Sequence, residues 1–413
     1  MSPRTGAARP RILILAPQLP WPPHQGTAIR NLHIALHLAE RHDVTLAAFA
    51  PDGADPGPLP AAGIALATAP PPPPRPLAVR LRDLPTTAVP DLARRLDSPA
   101  FSARLARLIA ESPPFDVVQI EGLEMARHGL AVHALAAARG HRPRLIYDAH
   151  NAEWVLQDRA WRTDIRRPRT WVGAAYSIVQ TAKIRRFERA LVRAAYATAA
   201  VSAADADALR ALAPGARIVV VPNGVDLDHY APADPNAVTA TRCAFTGKMD
   251  FRPNIDAAVW LCERVWPRVR AACPDATLAL VGRDPAPRVT ALANNALGID
   301  VTGAVPDTRP FIADAGVIVV PLRVGGGTRL KVLEAMAMAK PIVATTLAVE
   351  GLDLEDGVEA CLADDPAAFA AAVVELMGDP AARADLGAAA RRRAERDFGW
   401  SALVPRLAAL YDA

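Results

Sequence analysis

Short apolar runs bounded by turn-forming residues alternate with stretches of helical periodicity along almost the whole chain. That rhythm leaves few architectures open. Apolar runs without polar alternation belong to strands buried on both faces, and parallel strands need helical crossovers between them. Strands are expected at 11–16, 44–49, 64–68, 117–121, 145–148, 198–202 and 218–221, with helices at 27–40, 91–111, 123–139 and 171–195. The next segment, PNGVDLDHYAPADPNAV, is rich in turn formers and places a linker at about 226–238. A second alternation follows, with strands at 243–246, 276–281, 299–302, 317–321 and 341–345. Its helices are expected at 255–272, 287–294, 310–314, 328–338 and 367–377. The class is α/β. A chain of 413 residues can bury two cores, here a domain at 1–228 and another at 238–397. Two doubly wound domains bind ligands beyond the carboxyl ends of their strands.

The most specific stretch is GGGTRLKVLEAMAMAKPIVAT, residues 325–345. Its glycines let the backbone approach an anion, and the helix behind them offers unpaired N–H groups and a favourable dipole. Gly326, Gly327 and Thr328 form that turn, followed by Arg329 and Lys331 as cations. Glu334 lies three residues beyond Lys331 on the same face, where a carboxylate can accept from two sugar hydroxyls. Phosphate donors beside a hydroxyl acceptor point to a nucleotide.

Other strand-to-loop turns carry further candidates. PPHQGTAIRN, residues 22–31, leads into a helix with Gly26 at its start, and Thr27 is the alternative reading as a cap. In LIYDAHNAEW, residues 145–154, His150 follows a buried strand among Asp148, Asn151 and Glu153. FTGKMDFRPN, residues 245–254, places Lys248 and Arg252 in one loop, suited to a diphosphate. Met249 after Gly247-Lys248 excludes a Walker A loop. No Ser-His-Asp order, glycosidase carboxylate pair or G-x-G-x-x-G is readable. Asp226-x-Asp228 lacks supporting carboxylates, so no metal site is expected.

The net charge of +4 suits acidic small ligands and is too weak to argue for nucleic acid. Cys243, Cys262, Cys273 and Cys361 make no C-x-x-C pair, as for reduced thiols in a cytoplasmic protein. The prolines at 70–74 exclude helix or central strand and suit a polyproline loop. Residues 154–193 set Trp154, Trp161 and Trp171 among arginines, including Arg166, Arg167, Arg169, Arg185, Arg186 and Arg189. That composition fits peripheral contact with an anionic membrane, or solvated helix faces over buried tryptophans.

Taken together, PPHQGTAIRN, YDAHNAE, VVVPNGVD, FTGKMDFRPNIDAAVW, VTGAVPD and the GGGTRLK block resemble the GT-B glycosyltransferases of family 4, "glycosyl transferases group 1". Within the family, the chain is most similar to bacterial exopolysaccharide and cell-surface glycan transferases, including those of exosortase-linked loci. The resemblance implies a GT-B fold of two Rossmann-like domains facing a central cleft, with a C-terminal helix at about 401–413 returning to the first. It implies retaining transfer from a nucleotide-diphosphate sugar to a glycan or lipid-linked acceptor, without a metal or other cofactor. Glu334 then matches the ribose-contacting glutamate, Lys331 and Lys248 the cations near the diphosphate, and Arg329 a further candidate beside them. His150 matches a histidine near the donor sugar, and Gly26 a backbone contact at the reacting centre. Two positions depart from the family pattern. Gly326 stands where a second glutamate often lies, eight residues before Glu334. Lys248 replaces an arginine, and Pro253 replaces a lysine for which Arg252 can compensate. Two alternatives stay open: a GT-B nucleotide-sugar epimerase or hydrolase, and a noncatalytic nucleotide-sugar-binding subunit of a polysaccharide assembly machine.

Overall fold

The computed structural model describes residues 9–164, 171–234, 238–325 and 329–412. They form two compact units, one of residues 1–222 with 404–413 and one of residues 223–403. The first holds a seven-stranded parallel sheet in the order β3-β2-β1-β4-β5-β6-β7. Its strands are β1 Arg11–Ala16, β2 Asp43–Phe49, β3 Ala65–Ala69, β4 Val117–Glu121, β5 Arg144–Ala149, β6 Ala197–Ala200 and β7 Ile218–Val220. The second holds a six-stranded parallel sheet in the order β10-β9-β8-β11-β12-β13. Its strands are β8 Thr239–Thr246, β9 Thr277–Val281, β10 Ile299–Gly303, β11 Ala315–Val320, β12 Ile342–Ala344 and β13 Cys361–Leu362.

Continuous burial explains why the strands lack polar alternation: Ile12 to Ala16 and Ala315 to Val320 are covered on both faces. In each sheet the order reverses beside the first strand, between β1 and β4 and between β8 and β11. Such reversals open a crevice at the strand carboxyl ends. In the first unit Gly26 begins the helix that follows β1, Glu121 ends β4, and His150 follows β5. In the second unit Lys248 lies in the loop after β8, and Lys331 in the first turn of the helix Leu330–Ala337 that follows β11.

Three expectations need correction. The helix foreseen at 91–111 is two, Asp91–Arg94 and Pro99–Glu111, because Ser98 caps the second through Phe101 N–H and Pro99 begins it. The helix foreseen at 255–272 runs as Arg252–Trp260, a π-turn Leu261–Val265, and Trp266–Ala272. The chain divides at Pro222/Asn223, so residues 223–230 belong to the second unit and not to a linker. Val225 N–H donates to Phe398 O at 2.9 Å, and Arg391 Nη1 donates to the carbonyls of Leu227 and Tyr230 at 3.3 and 3.2 Å. Residues 235–237 of the expected linker lie outside the described residues.

Asp226 accepts from the N–H groups of Asp228 and His229 at 3.0 and 2.9 Å, so this acid-x-acid segment shapes a turn. Among the described residues, no helix is long and apolar enough to cross a membrane.

Candidate functional site

In the second unit the site is built on two glycines. Gly247, after β8, donates its N–H to Val281 O at 2.9 Å, and a Cβ on Gly282 would stand 1.7 Å from Gly247 O. The two strand ends therefore touch backbone to backbone, which any side chain at Gly282 would prevent. A Cβ on Gly247 would meet Lys331 Nζ at 2.6 Å, so this glycine also makes room for the ammonium. Lys331 Nζ donates to Asn254 Oδ1 at 2.8 Å and lies 4.3 Å from the centroid of the Phe245 ring. Asn254 in turn donates to Lys248 O at 2.8 Å. One amide thus ties the β8 loop to the cation on the helix Leu330–Ala337.

Lys331 and Glu334 share one face of that helix, as their spacing implied. Glu334 Oε1 accepts from the Tyr230 hydroxyl at 3.3 Å. Burial raises the Glu334 carboxyl above its ordinary range, partly offset by Tyr230 and Lys331. Burial pulls Lys331 down to about 7, with Glu334 opposing and Arg329 adding to the fall. An amine near 7 is largely neutral at pH 8, so a diphosphate bound beside Lys331 would have to restore its proton. Calorimetric titration with a nucleoside diphosphate should show proton uptake at pH 8 and little at pH 6. Affinity should fall by up to about tenfold per pH unit above 7. Equal heats in buffers of different ionisation enthalpy at pH 8 would remove this role.

The other candidates separate in character. Lys248 is half-exposed and paired with Asp250 at 3.0 Å, so it is accessible to a ligand. Arg252 is exposed at the start of its helix. Arg329 differs from the expectation of a ligand cation. It is buried, and its Nη2 donates to Gly325 O at 3.2 Å and Leu347 O at 3.4 Å, bracing the loop. Gly325, at φ +109°, leans on Pro253, where a Cβ would come within 2.9 Å of the ring. Gly326, Gly327 and Thr328 lie outside the described residues.

In the first unit His150 follows β5 and donates from Nε2 to Glu121 Oε2 at 2.9 Å. Asn31, with its amide nitrogen turned to the carboxylate, donates to the same oxygen at 2.8 Å and to Thr27 O at 3.2 Å. Its neighbour Arg30 grips Asp148 through Nε at 2.9 Å and Nη2 at 2.8 Å, and donates from Nη1 to Pro222 O at 3.0 Å. Both residues lie on the helix Gly26–Ala39, which ties the start of that helix to His150. Its N-cap is Gln25, not Thr27, and no side chain caps it. The first-turn N–H groups near Gly26 thus receive no help from a cap.

The helix after His150, Glu153–Asp164, is capped from outside by Glu188, which accepts from the N–H groups of Glu153 and Trp154 at 3.1 and 3.2 Å. Asp148 and Asn151 do not perform that role. Trp154 packs against the core, and Trp161 donates to Asp158 at 3.0 Å. Arg166, Arg167 and Arg169 and the side chain of Trp171 lie outside the described residues.

Sequence reasoning missed Asn254, Tyr230, Arg30, Asn31 and Glu121. The available signal was polarity inside otherwise apolar elements: Arg30-Asn31 within the first helix and Gln119 and Glu121 within VVQIE.

Two parallel α/β units with phosphate-suited turns and a sugar-suited carboxylate define the GT-B class. Residues 240–379 match the family described as glycosyl transferases group 1, and residues 25–224 match the glycosyl transferase 4-like domain. Both halves of the chain are thus similar to glycosyltransferase families, the second half to the glycosyl transferases group 1.

Over 223 residues it is 31% identical to a D-inositol 3-phosphate glycosyltransferase of Thermobispora bispora, covering 48% of this chain and 51% of that one. Over 342 residues it is 28% identical to a GDP-mannose-dependent alpha-(1-6)-phosphatidylinositol monomannoside mannosyltransferase of Mycolicibacterium smegmatis, covering 76% and 81%. The chain spans about half the length of the first of these curated relatives. Among solved structures, a sucrose-phosphate synthase from Thermosynechococcus elongatus has a TM-score of 0.68 at 19% identity, covering 98% of both chains. Anabaena HepE in complex with UDP and glucose has a TM-score of 0.61 at 16% identity, covering 96% of this chain and 98% of that one. At such identities the likeness is one of fold.

Proposed function

We infer that this chain transfers a sugar from a nucleotide-diphosphate sugar to a glycan or lipid-linked acceptor, with retention at the anomeric carbon, in the building of a cell-surface or extracellular polysaccharide. The carrying observation is the cradle of Gly247, Asn254 and Lys331 with Glu334 one helical turn away. The ammonium and the Lys248 side chain neutralise the departing diphosphate, so the transfer runs without a metal. Glu334, one oxygen held by Tyr230, offers the other to the ribose hydroxyls. Within the first unit, the first-turn N–H groups beside Gly26 and the imidazole of His150 are suited to hydroxyl groups of a sugar or acceptor. HepE is described in complex with UDP and with UDP-glucose, which supports a nucleotide-sugar donor. The four free thiols, two of them buried, suit a cytoplasmic setting. The exposed positive charge of the helix Trp171–Ala194 is where peripheral contact with an anionic membrane would fall.

A thermal-shift screen against a nucleotide-sugar library identifies the donor, because a ligand of the native state raises Tm by mass action. Product analysis with that donor then separates transfer to an acceptor from hydrolysis or epimerisation. A sugar that never leaves the nucleotide, or reaches only water across an acceptor panel, contradicts transfer. Glu334→Gln should weaken donor binding by about ten- to a hundredfold with a smaller change in kcat. Unaltered donor affinity removes Glu334 from the ribose.

A further inference from the structure

Beneath His150 runs a line of buried hydrogen bonds that takes no part in holding the donor. The Tyr411 hydroxyl donates to Gln119 Oε1, and Gln119 Nε2 donates to Glu121 Oε1. Glu121 Oε2 accepts from His150 and from Asn31. Tyr411 lies in the last turn of the helix Trp400–Asp412 and is 2% exposed, while Gln119 and Glu121 are fully buried. Burial and the charge of Asp148 push the Glu121 carboxyl up, while the amide donors Gln119 and Asn31, one on each oxygen, favour its ionised form, with which His150 then pairs.

The local charge count then has one open place. Arg30 supplies one positive charge, and Asp148 and Glu121 supply two negative ones. A proton on His150 makes the buried group neutral, the arrangement that a low-dielectric interior favours. Resting on the transferase reading for its catalytic meaning, we propose that Glu121 is a positioning residue that, with Gln119 and Tyr411 behind it, holds His150 doubly protonated. Nε2–H is spent on Glu121. Nδ1–H remains for the sugar or acceptor, beside Gly122, where a Cβ would stand 3.4 Å from it. Among the described residues Nδ1 has no hydrogen-bond partner, and the side chain keeps 13% exposure.

His150 therefore acts as a hydrogen-bond and proton donor, not as a base. Burial works against its charge, but the hydrogen bond and charge of Glu121, with the charge of Asp148, outweigh burial and raise it above the usual imidazole range. Arg30 opposes that rise. From the following loop and helix, Glu124 and Glu153 also face this region: a Cβ on Gly122 would lie 3.2 Å from Glu124 Oε2, and Glu153 accepts from Asn151 at 3.4 Å.

The test is histidine 15N NMR of the full chain, with His150 assigned by the signal lost in His150→Gln. Both ring nitrogens should be protonated at pH 7. Glu121→Gln should lower the titration midpoint by a unit or more, a tenfold change in proton affinity. Tyr411→Phe, which removes only the distal hydroxyl, should lower it by a smaller step. With donor and acceptor in hand, the loss of kcat at high pH should move down in parallel. A neutral His150 at pH 7 in the unaltered protein overturns the proposal, and so does a midpoint unmoved in folded Glu121→Gln or, should that variant not fold, in Tyr411→Phe. The NMR readout needs no substrate, so the protonation of His150 is measured whether or not sugar transfer is observed.

Discussion

Lys331→Ala lowers kcat by about a hundred- to a thousandfold while the Tm holds or rises. The two effects come from the same geometry. Lys331 sits over the Phe245 ring with Asn254 as its hydrogen-bond partner, and burial disfavours its charge in the resting protein. Such a side chain is a poor contributor to stability, because the unfolded chain solvates the ammonium fully. Its worth appears when a diphosphate leaves, since a positive charge in a water-poor place stabilises the developing negative charge most strongly. Lys331→Arg should not restore turnover. Gly247 already has to lack a Cβ to clear Nζ, and a guanidinium needs more room. A variant that keeps turnover within severalfold, or loses activity only by unfolding, removes Lys331 from the reaction.

Arg30→Met destabilises the chain by about 3–5 kcal/mol, measured by urea unfolding. Arg30 is 1% exposed and Asp148 is fully buried, and the guanidinium holds both carboxylate oxygens. Removing it strands a carboxylate with no water to replace the lost donors. The damage reaches the site, because Arg30 also bonds Pro222 O and Asn31 beside it bonds Glu121. Adding Asp148→Asn should recover part of the loss, since the stranded charge disappears. A loss below about 1 kcal/mol for Arg30→Met alone would mean that the pair is not desolvated as the structure shows.

Much of the fold was legible because both signals are local. Apolar runs with no polar alternation identify strands buried on both faces, and β1, β4, β9 and β11 fall close to where those runs lie. The break between Arg94 and Pro99 was also written locally, in Ser98-Pro99, but continuous helical periodicity on either side hid it. Within the site, Lys331 and Glu334 were readable because three residues of helix place them on one face.

Their partners were not readable. Asn254 lies 77 positions from Lys331, Arg30 lies 118 from Asp148, and Tyr411 lies 292 from Gln119. No periodicity reports such pairs; the crossovers of a parallel sheet bring them together. Arg329 shows the opposite error. Its place beside a glycine turn suggested a ligand cation, whereas burial turned it inward to brace the turn's own carbonyl.

The Gly247, Asn254 and Lys331 cradle is expected to hold the donor's diphosphate while Glu334 holds its ribose. The structure of the chain in complex with the nucleoside diphosphate of its donor tests this arrangement most directly. A phosphate oxygen is expected within hydrogen-bond distance of Lys331 Nζ, with the ribose hydroxyls on the free oxygen of Glu334. A nucleotide bound elsewhere, or bound with Lys331 still directed only at Asn254, would contradict it.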